Sequence, residues 1–157
     1  MNKITPFLWF NNNLEEAMNF YFSIFKNSKI LSVNRYGKGG LLPEGTIFTA
    51  TFQLDGQEFF GLNGGPNFPF TEAISFYVDC KTQEEVDYFW EKLTKGGEEV
   101  QCGWLKDKFG LSWQIVPSRL IELMGDKDTE KANRVREAML KMVKIDIKAL
   151  QKAYDGK

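Results

Sequence analysis

Apolar and polar positions along the chain follow two different periods. In "LEEAMNFYFSIF", residues 14–25, the apolar side chains Leu14, Ala17, Met18, Tyr21, Ile24 and Phe25 recur at the spacing of a helix with one buried face. "TQEEVDYFWEKL", residues 82–93, repeats that spacing with Val86, Phe89, Trp90 and Leu93, and Thr82 with Glu85 forms a capping box that marks the helix start. Around these segments the period shortens to that of strands. "ITPFLWF" and "AISFYVD" precede the two helices. "KILSVNRY", "TIFTATFQL" and "QEFFGL" follow the first, with Asp55-Gly56 as a hairpin turn between the last two. "EEVQCGWLK" and "LSWQIVP" follow the second, joined by a turn at Asp107-Lys108-Phe109-Gly110.

The order of elements therefore repeats, and so do some residues. A slide of 69 positions lays Glu84-Glu85 on Glu15-Glu16, Phe89 on Phe20, Trp90 on Tyr21, Leu93 on Ile24 and Phe76 on Phe7. The pattern predicts an α+β chain of one domain, residues 1–157, holding two β-α-β-β-β modules over 1–66 and 67–118. The Gly- and Pro-rich "NGGPNFPF" joins them. A helical tail over 119–157 completes the prediction. There "DTEKANRVREAMLKM" aligns Ala132, Val135, Met139 and Met142 behind an N-cap at Asp128, and "KIDIKALQKAY" adds a short helix. The tail is expected to pack on its own domain or on a second subunit.

Composition narrows the chemistry. Twenty basic and 21 acidic residues leave a formal charge of −1, so no bulk field draws nucleic acid or an anionic membrane. No apolar run approaches the roughly 20 residues that span a bilayer. "MNKITPFLWFNNN" lacks the apolar stretch and cleavage site of a signal peptide, which makes a cytoplasmic protein the expectation. The chain has no histidine, which removes Ser-His-Asp and Cys-His catalysis and the usual ligand of zinc, nickel and non-haem iron. The two cysteines, Cys80 and Cys102, are expected to be small buried thiols, and no histidine can activate Cys102. "GKGG" and "NGGP" match neither a P-loop nor a dinucleotide fingerprint, and residues 37–45 are expected to form a mobile loop. Lys106, Asp107 and Lys108 are expected to be a solvated turn, and Glu58 and Asp79 strand-end charges facing water.

Paired β-α-β-β-β modules with a D-x-x-G-x-x-W turn before the last strand resemble the vicinal oxygen chelate superfamily of glyoxalase I, bleomycin-resistance proteins and extradiol dioxygenases. More closely, "PFLWFNNNLEEAMNFY", "GLNGGPNFPFTEAISFYVDC", "EEVDYFWEKL", "CGWLKDKFGLSWQIVP" and "KMVKIDI" resemble its PhnB-like branch, the "3-demethylubiquinone-9 3-methyltransferase" family. The resemblance implies a glyoxalase/bleomycin-resistance fold, in which each module curls into a curved mixed sheet and two modules make a cleft. It also implies metal ligands on the first and last strands of each module. Here those positions fall near Pro6, at Ala73 or Ile74, and at Gln114, where relatives place a glutamate. An amide oxygen alone holds no metal, so the superfamily metal site is expected to be lost and no cofactor is expected.

An apolar cleft with a few polar groups fits a small-molecule pocket, with Trp9, Phe52, Asn63, Phe76, Trp104 and Gln114 as its expected lining; the resemblance implies that Trp9, Phe76 and Gln114 lie on strands that face the cleft. Catalytic residues are not identifiable. The resulting expectation is a metal-free binding protein for an apolar or aromatic ligand, and a homodimer. The alternatives are a lyase or dioxygenase of the same superfamily, or a methyltransferase. The last is disfavoured because the chain offers no parallel sheet with a glycine-rich first turn.

Overall fold

The computed structural model describes residues 2–157. The chain up to Phe70 makes one compact unit and Thr71–Lys157 a second.

The first unit runs β1 (Phe7–Phe10), α1 (Leu14–Ile24), β2 (Lys29–Arg35), β3 (Ile47–Leu54) and β4 (Gln57–Asn63). Its sheet has the order β1-β4-β3-β2, with β1 and β4 parallel and the other pairs antiparallel. Asp55 and Gly56 join β3 to β4 with φ of 48° and 79°, the left-handed pair that lets two strands close through a two-residue loop. The amphipathic face of α1 buries Leu14, Ala17, Met18 and Tyr21, and on the sheet Leu8, Phe10, Ala50, Phe52 and Phe59 are buried as well. At Gly61 the strand leaves room for the helix, since a Cβ there would lie 2.6 Å from the Leu14 side chain. Asn13, at the N-cap of α1, makes no side-chain cap bond. The orphan N–H of Leu14 is instead taken by Asn63 Oδ1 at 2.9 Å.

The second unit runs β5 (Ser75–Cys80), α2 (Gln83–Thr94), β6 (Glu98–Glu99), β7 (Trp104–Lys106) and β8 (Ser112–Pro117). It continues with α3 (Ser118–Met124), α4 (Thr129–Leu140) and α5 (Ile147–Asp155). The sheet order is β5-β8-β7-β6, again with the first and last strands of the module parallel. Thr82 caps α2 as expected, its Oγ1 accepting from Glu85 N at 3.2 Å, while Glu85 Oε2 reaches one residue past the N-cap and accepts from Lys81 N at 2.6 Å. Each unit thus has the β-α-β-β-β topology of the glyoxalase/bleomycin-resistance fold.

"EEVQCGWLK" supplies two of the three strands that follow α2. Cys102 and Gly103 adopt left-handed φ of 60° and 83°, which folds the chain back so that Val100 N donates to Trp104 O at 2.9 Å. The amides freed by that turn are satisfied by the tail, since Cys102 N and Gly103 N donate to Met142 O and Val143 O, each at 2.8 Å.

The tail packs on its own unit. Val116 of β8, Leu120 and Leu123 of α3 (a helix the periodicity did not predict), Val135, Ile145 and Leu150 share one buried cluster. Gln83 fastens it to α2, donating to Ile145 O at 3.0 Å and accepting from Ile147 N at 2.8 Å. Asp128 caps α4 as expected, accepting from Glu130 N and Lys131 N. No helix among the described residues is long and apolar enough to cross a membrane.

Candidate functional site

Strand alternation sorts the expected site residues onto two faces of each sheet. In the first unit the helix-side row of β3 is Ala50, Phe52 and Leu54, all buried. Phe52 has no exposed surface, stacks on Phe59 with ring centroids 5.6 Å apart, and meets Phe22 of α1 edge-on at 6.2 Å. It is a core residue and lines no site, because it sits on the strand face that α1 covers. Asn63 is likewise buried and structurally committed: Oδ1 receives Leu14 N, and Nδ2 donates to Ile47 O at 2.8 Å.

Trp9 lies on the other face. Its register partner is Leu62, and Phe7 pairs with Phe60 in the same row-by-row sense, the two rings 5.7 Å apart. The indole N–H of Trp9 donates to Gly65 O at 2.9 Å, and its ring meets Phe68 edge-on at 5.0 Å. The loop over residues 37–45 is closed at its base by paired bonds between Tyr36 and Gly45 and Thr46. The Tyr36 hydroxyl donates to Asn63 O.

In the second unit α2 packs on β7 and β8, and Leu105, Trp113 and Ile115 form the buried row beneath it. Phe76 is in register with Trp113, ring centroids 5.5 Å apart, so it shares that helix-side row. Expected to face the same way as Gln114, it faces the opposite way. The cause is one residue: the slide of 69 that aligns the helices aligns Phe7, which faces away from α1, with Phe76, which faces α2. Buried Leu8 is the true counterpart of Phe76, and a one-residue slip exchanges strand faces.

Gln114 and Trp104 do belong together. They are register partners on the antiparallel β7–β8 pair, on the face away from α2. Gln114 Nε2 donates to Ser75 Oγ at 2.9 Å. Two residues before Gln114, and paired in register with both Ser75 and Lys106, stands Ser112. Only 1% of its surface is exposed, and its Oγ has no hydrogen-bond partner among the described residues. Lys106 forms an ion pair with Glu72. That hydrogen bond is the main cause holding the lysine above its ordinary pKa and the glutamate below its own. Sequence reasoning misses Ser75 and Ser112. Counting two residues back from Gln114 finds Ser112, but a serine carries no apolar signal to draw attention.

Of the turn expected to be solvated, Lys108 is exposed and Lys106 half-buried, but Asp107 is buried. Asp107 is 3% exposed; its Oδ1 accepts from Phe109 N at 2.9 Å and Leu111 N at 3.1 Å, and its Oδ2 from Trp113 Nε1 at 2.9 Å. The D-x-x-G-x-x-W pattern is therefore a folding device that sets the register of β8 and with it the aim of Gln114 and Ser112.

The metal implied by the superfamily can be tested against the side chains present. Around Gln114 stand two serines, a tryptophan and a lysine already bound to Glu72. Among the described residues no three His, Cys, Asp or Glu side chains gather to hold an ion. One amide, hydroxyls and an ammonium do not fit a divalent metal centre. Cys80 is a poor nucleophile: it is fully buried, and desolvation is the main cause that pushes its thiol up to about 12.

The sequence profile described as 3-demethylubiquinone-9 3-methyltransferase matches residues 2–116. No curated protein matches. Among solved structures, a PhnB protein from Bacillus cereus carrying the same 3-demethylubiquinone-9 3-methyltransferase description is 44% identical. It superposes with a TM-score of 0.69 over 74% of this chain and 99% of that one. Protein PA1353 from Pseudomonas aeruginosa, at 18% identity, shares the fold with a TM-score of 0.61 over 74% of this chain and 98% of its own. The chain belongs to the 3-demethylubiquinone-9 3-methyltransferase family, in its PhnB-like form.

Proposed function

We propose that the protein is a metal-free binder of a small aromatic molecule, held on the face of the second sheet that carries Trp104, Ser112 and Gln114. The observation that supports this reading best is Ser112 Oγ, buried and without a partner among the described residues. A buried hydroxyl left unpaired is costly, and an acceptor atom on a ligand would satisfy it. Trp104 offers a flat ring for stacking beside it, and the Ser75–Gln114 bond holds the neighbouring amide in one orientation. The carboxylate that a metal-dependent relative would use is replaced by an amide.

The reading extends to a cytoplasmic homodimer. Two free thiols support the compartment, and large exposed apolar side chains such as Ile4, Phe68 and Ile74 support an interface. A single-chain mass by light scattering at micromolar concentration would remove the dimer from the reading.

Native mass spectrometry of the freshly purified protein, followed by denaturing spectra, tests the binding. A co-purifying organic mass that is lost in Trp104→Ala and Ser112→Val is the expected result. One divalent metal per chain supporting turnover would overturn it. So would a bare protein that takes up no member of a panel of aromatic acids and quinones at millimolar concentration. Methyl transfer, as the family description has it, is the second reading. The common methyl-donor fold is a parallel sheet with a glycine-rich first turn, whereas each sheet here has a single parallel pair. Micromolar affinity for S-adenosylmethionine would restore it.

A further inference from the structure

Glu58 lies on β4 on the face away from α1. Alternation places it with Phe60 and Leu62, opposite the buried row of Phe59, Gly61 and Asn63. Its register partner on β3 is Gln53, whose own partner on β2 is Lys29. One carboxylate oxygen, Oε1, is buried and has no hydrogen-bond partner among the described residues. Lys29 shares the row, but two strand spacings, about 10 Å, separate the backbones, and the lysine is exposed. Excluding a carboxylate oxygen from water without a donor is among the more costly arrangements a folded protein carries. Such an atom calls for an explanation, and a donor brought from outside is one.

The surroundings say what kind of partner. Phe60 is the next residue on the same face of β4, about 7 Å along the strand from Glu58, and Phe7 lies against it at 5.7 Å. Phe7 is 57% exposed. An anionic oxygen beside two aromatic rings matches a positively charged donor attached to an apolar body. The charge would be paired at the carboxylate of Glu58, a residue that is half-buried as a whole, and the rings would attract both the cation and the apolar part. We infer that this face of the first sheet binds an organic ammonium of the arylalkylamine class, with the ammonium on Glu58 and the aryl group over Phe60 and Phe7.

The site is independent of the one proposed on the second sheet, and its test is separable from that one. The probe is 2-phenylethylammonium chloride, titrated into the full chain and followed by amide chemical shifts. Saturable binding is expected, with the neutral 2-phenylethanol about tenfold weaker or worse. Glu58→Gln is expected to cost the ammonium about tenfold in affinity, the scale of one charge-assisted hydrogen bond, while leaving 2-phenylethanol binding unchanged. It should also leave the melting temperature unchanged or raise it, because the substitution removes a carboxylate with one oxygen buried and unbonded. Trp104→Ala should leave the ammonium affinity as it is. Absence of saturable binding up to tens of millimolar, equal affinity in Glu58→Gln, or a lower melting temperature in that variant would each overturn the inference.

Discussion

The indole N–H of Trp113 donates to Asp107 Oδ2 at 2.9 Å, so a strand residue and a turn residue six positions apart are fixed to each other inside the protein. The other carboxylate oxygen holds Phe109 N and Leu111 N. Asp107→Ala removes the acceptor of all three bonds and leaves buried donors unpaired, and is expected to cost about 3 kcal/mol or more in urea unfolding. Asp107→Asn is expected to fall between the parent and the alanine variant, because its amide oxygen can still serve the turn while its NH2 group opposes the indole N–H.

Asn63 bridges a helix start and a strand. Asn63→Ala is expected to destabilise by about 2 kcal/mol, from the loss of two buried hydrogen bonds. Asn63→Asp keeps an acceptor for Leu14 but sets an oxygen against Ile47 O. In equilibrium denaturation it should be no more stable than the alanine variant.

Two glycines give a contrast that unfolding measurements can read. A Cβ at Gly97 would press on the Lys106 carbonyl and lie 2.8 Å from the Asp107 carbonyl carbon, whereas one at Gly37 meets nothing within 4 Å. Gly97→Ala should therefore cost about 2 kcal/mol or more, because backbone must move. Gly37→Ala should stay within about 0.5 kcal/mol of the parent protein.

Cys80 makes alkaline stability pH-dependent with a definite sign. Its folded-state value of about 12 stands above the ordinary 9.0, so the folded form keeps a proton that the unfolded chain releases. The stabilisation is fully present below about pH 9 and is lost as pH rises toward 12, at up to about 1.4 kcal/mol per pH unit. Cys80→Ala is expected to be less stable at pH 7 but to show a flatter decline between those limits, measured as unfolding free energy against pH. The parent's Cys80 should resist maleimide at neutral pH until the protein is unfolded.

Elements written locally in the chain are legible from it. Thr82 with Glu85, Asp55-Gly56 and Asp128 each act within a few residues of themselves, so their spacing is enough. Residues whose meaning is set by a distant partner are not. Asn63 serves a helix start 49 residues earlier, and nothing near it in sequence announces that. Phe76 escapes correct placement because helix periodicity fixes the repeat while the strand preceding α2 is offset by one residue, and strand faces have no tolerance for such an offset. Phe52 shows the converse limit: aromatic identity cannot say which face of a sheet is covered. Asp107 and Glu58 look like surface charges because charge predicts exposure on average. Asp107 is buried against a tryptophan six residues on, whereas Glu58 is half-buried on the face away from α1 with one carboxylate oxygen cut off from water. Of the expected site, Trp104 and Gln114 meet on one face, and Trp9 lies away from the helix of its own unit.

The interlock between the tail and β8 has a consequence for the order in which the polypeptide matures during synthesis. The first unit has all its strands once Phe70 has left the ribosome and can condense at once. The second must wait, because Val116 finds Ile145 and Leu150 only after roughly 30 more residues have followed, and the amides of Cys102 and Gly103 wait as long for their carbonyls. A nascent chain paused near residue 120 would present one unit with all its strands and one with an unfilled core.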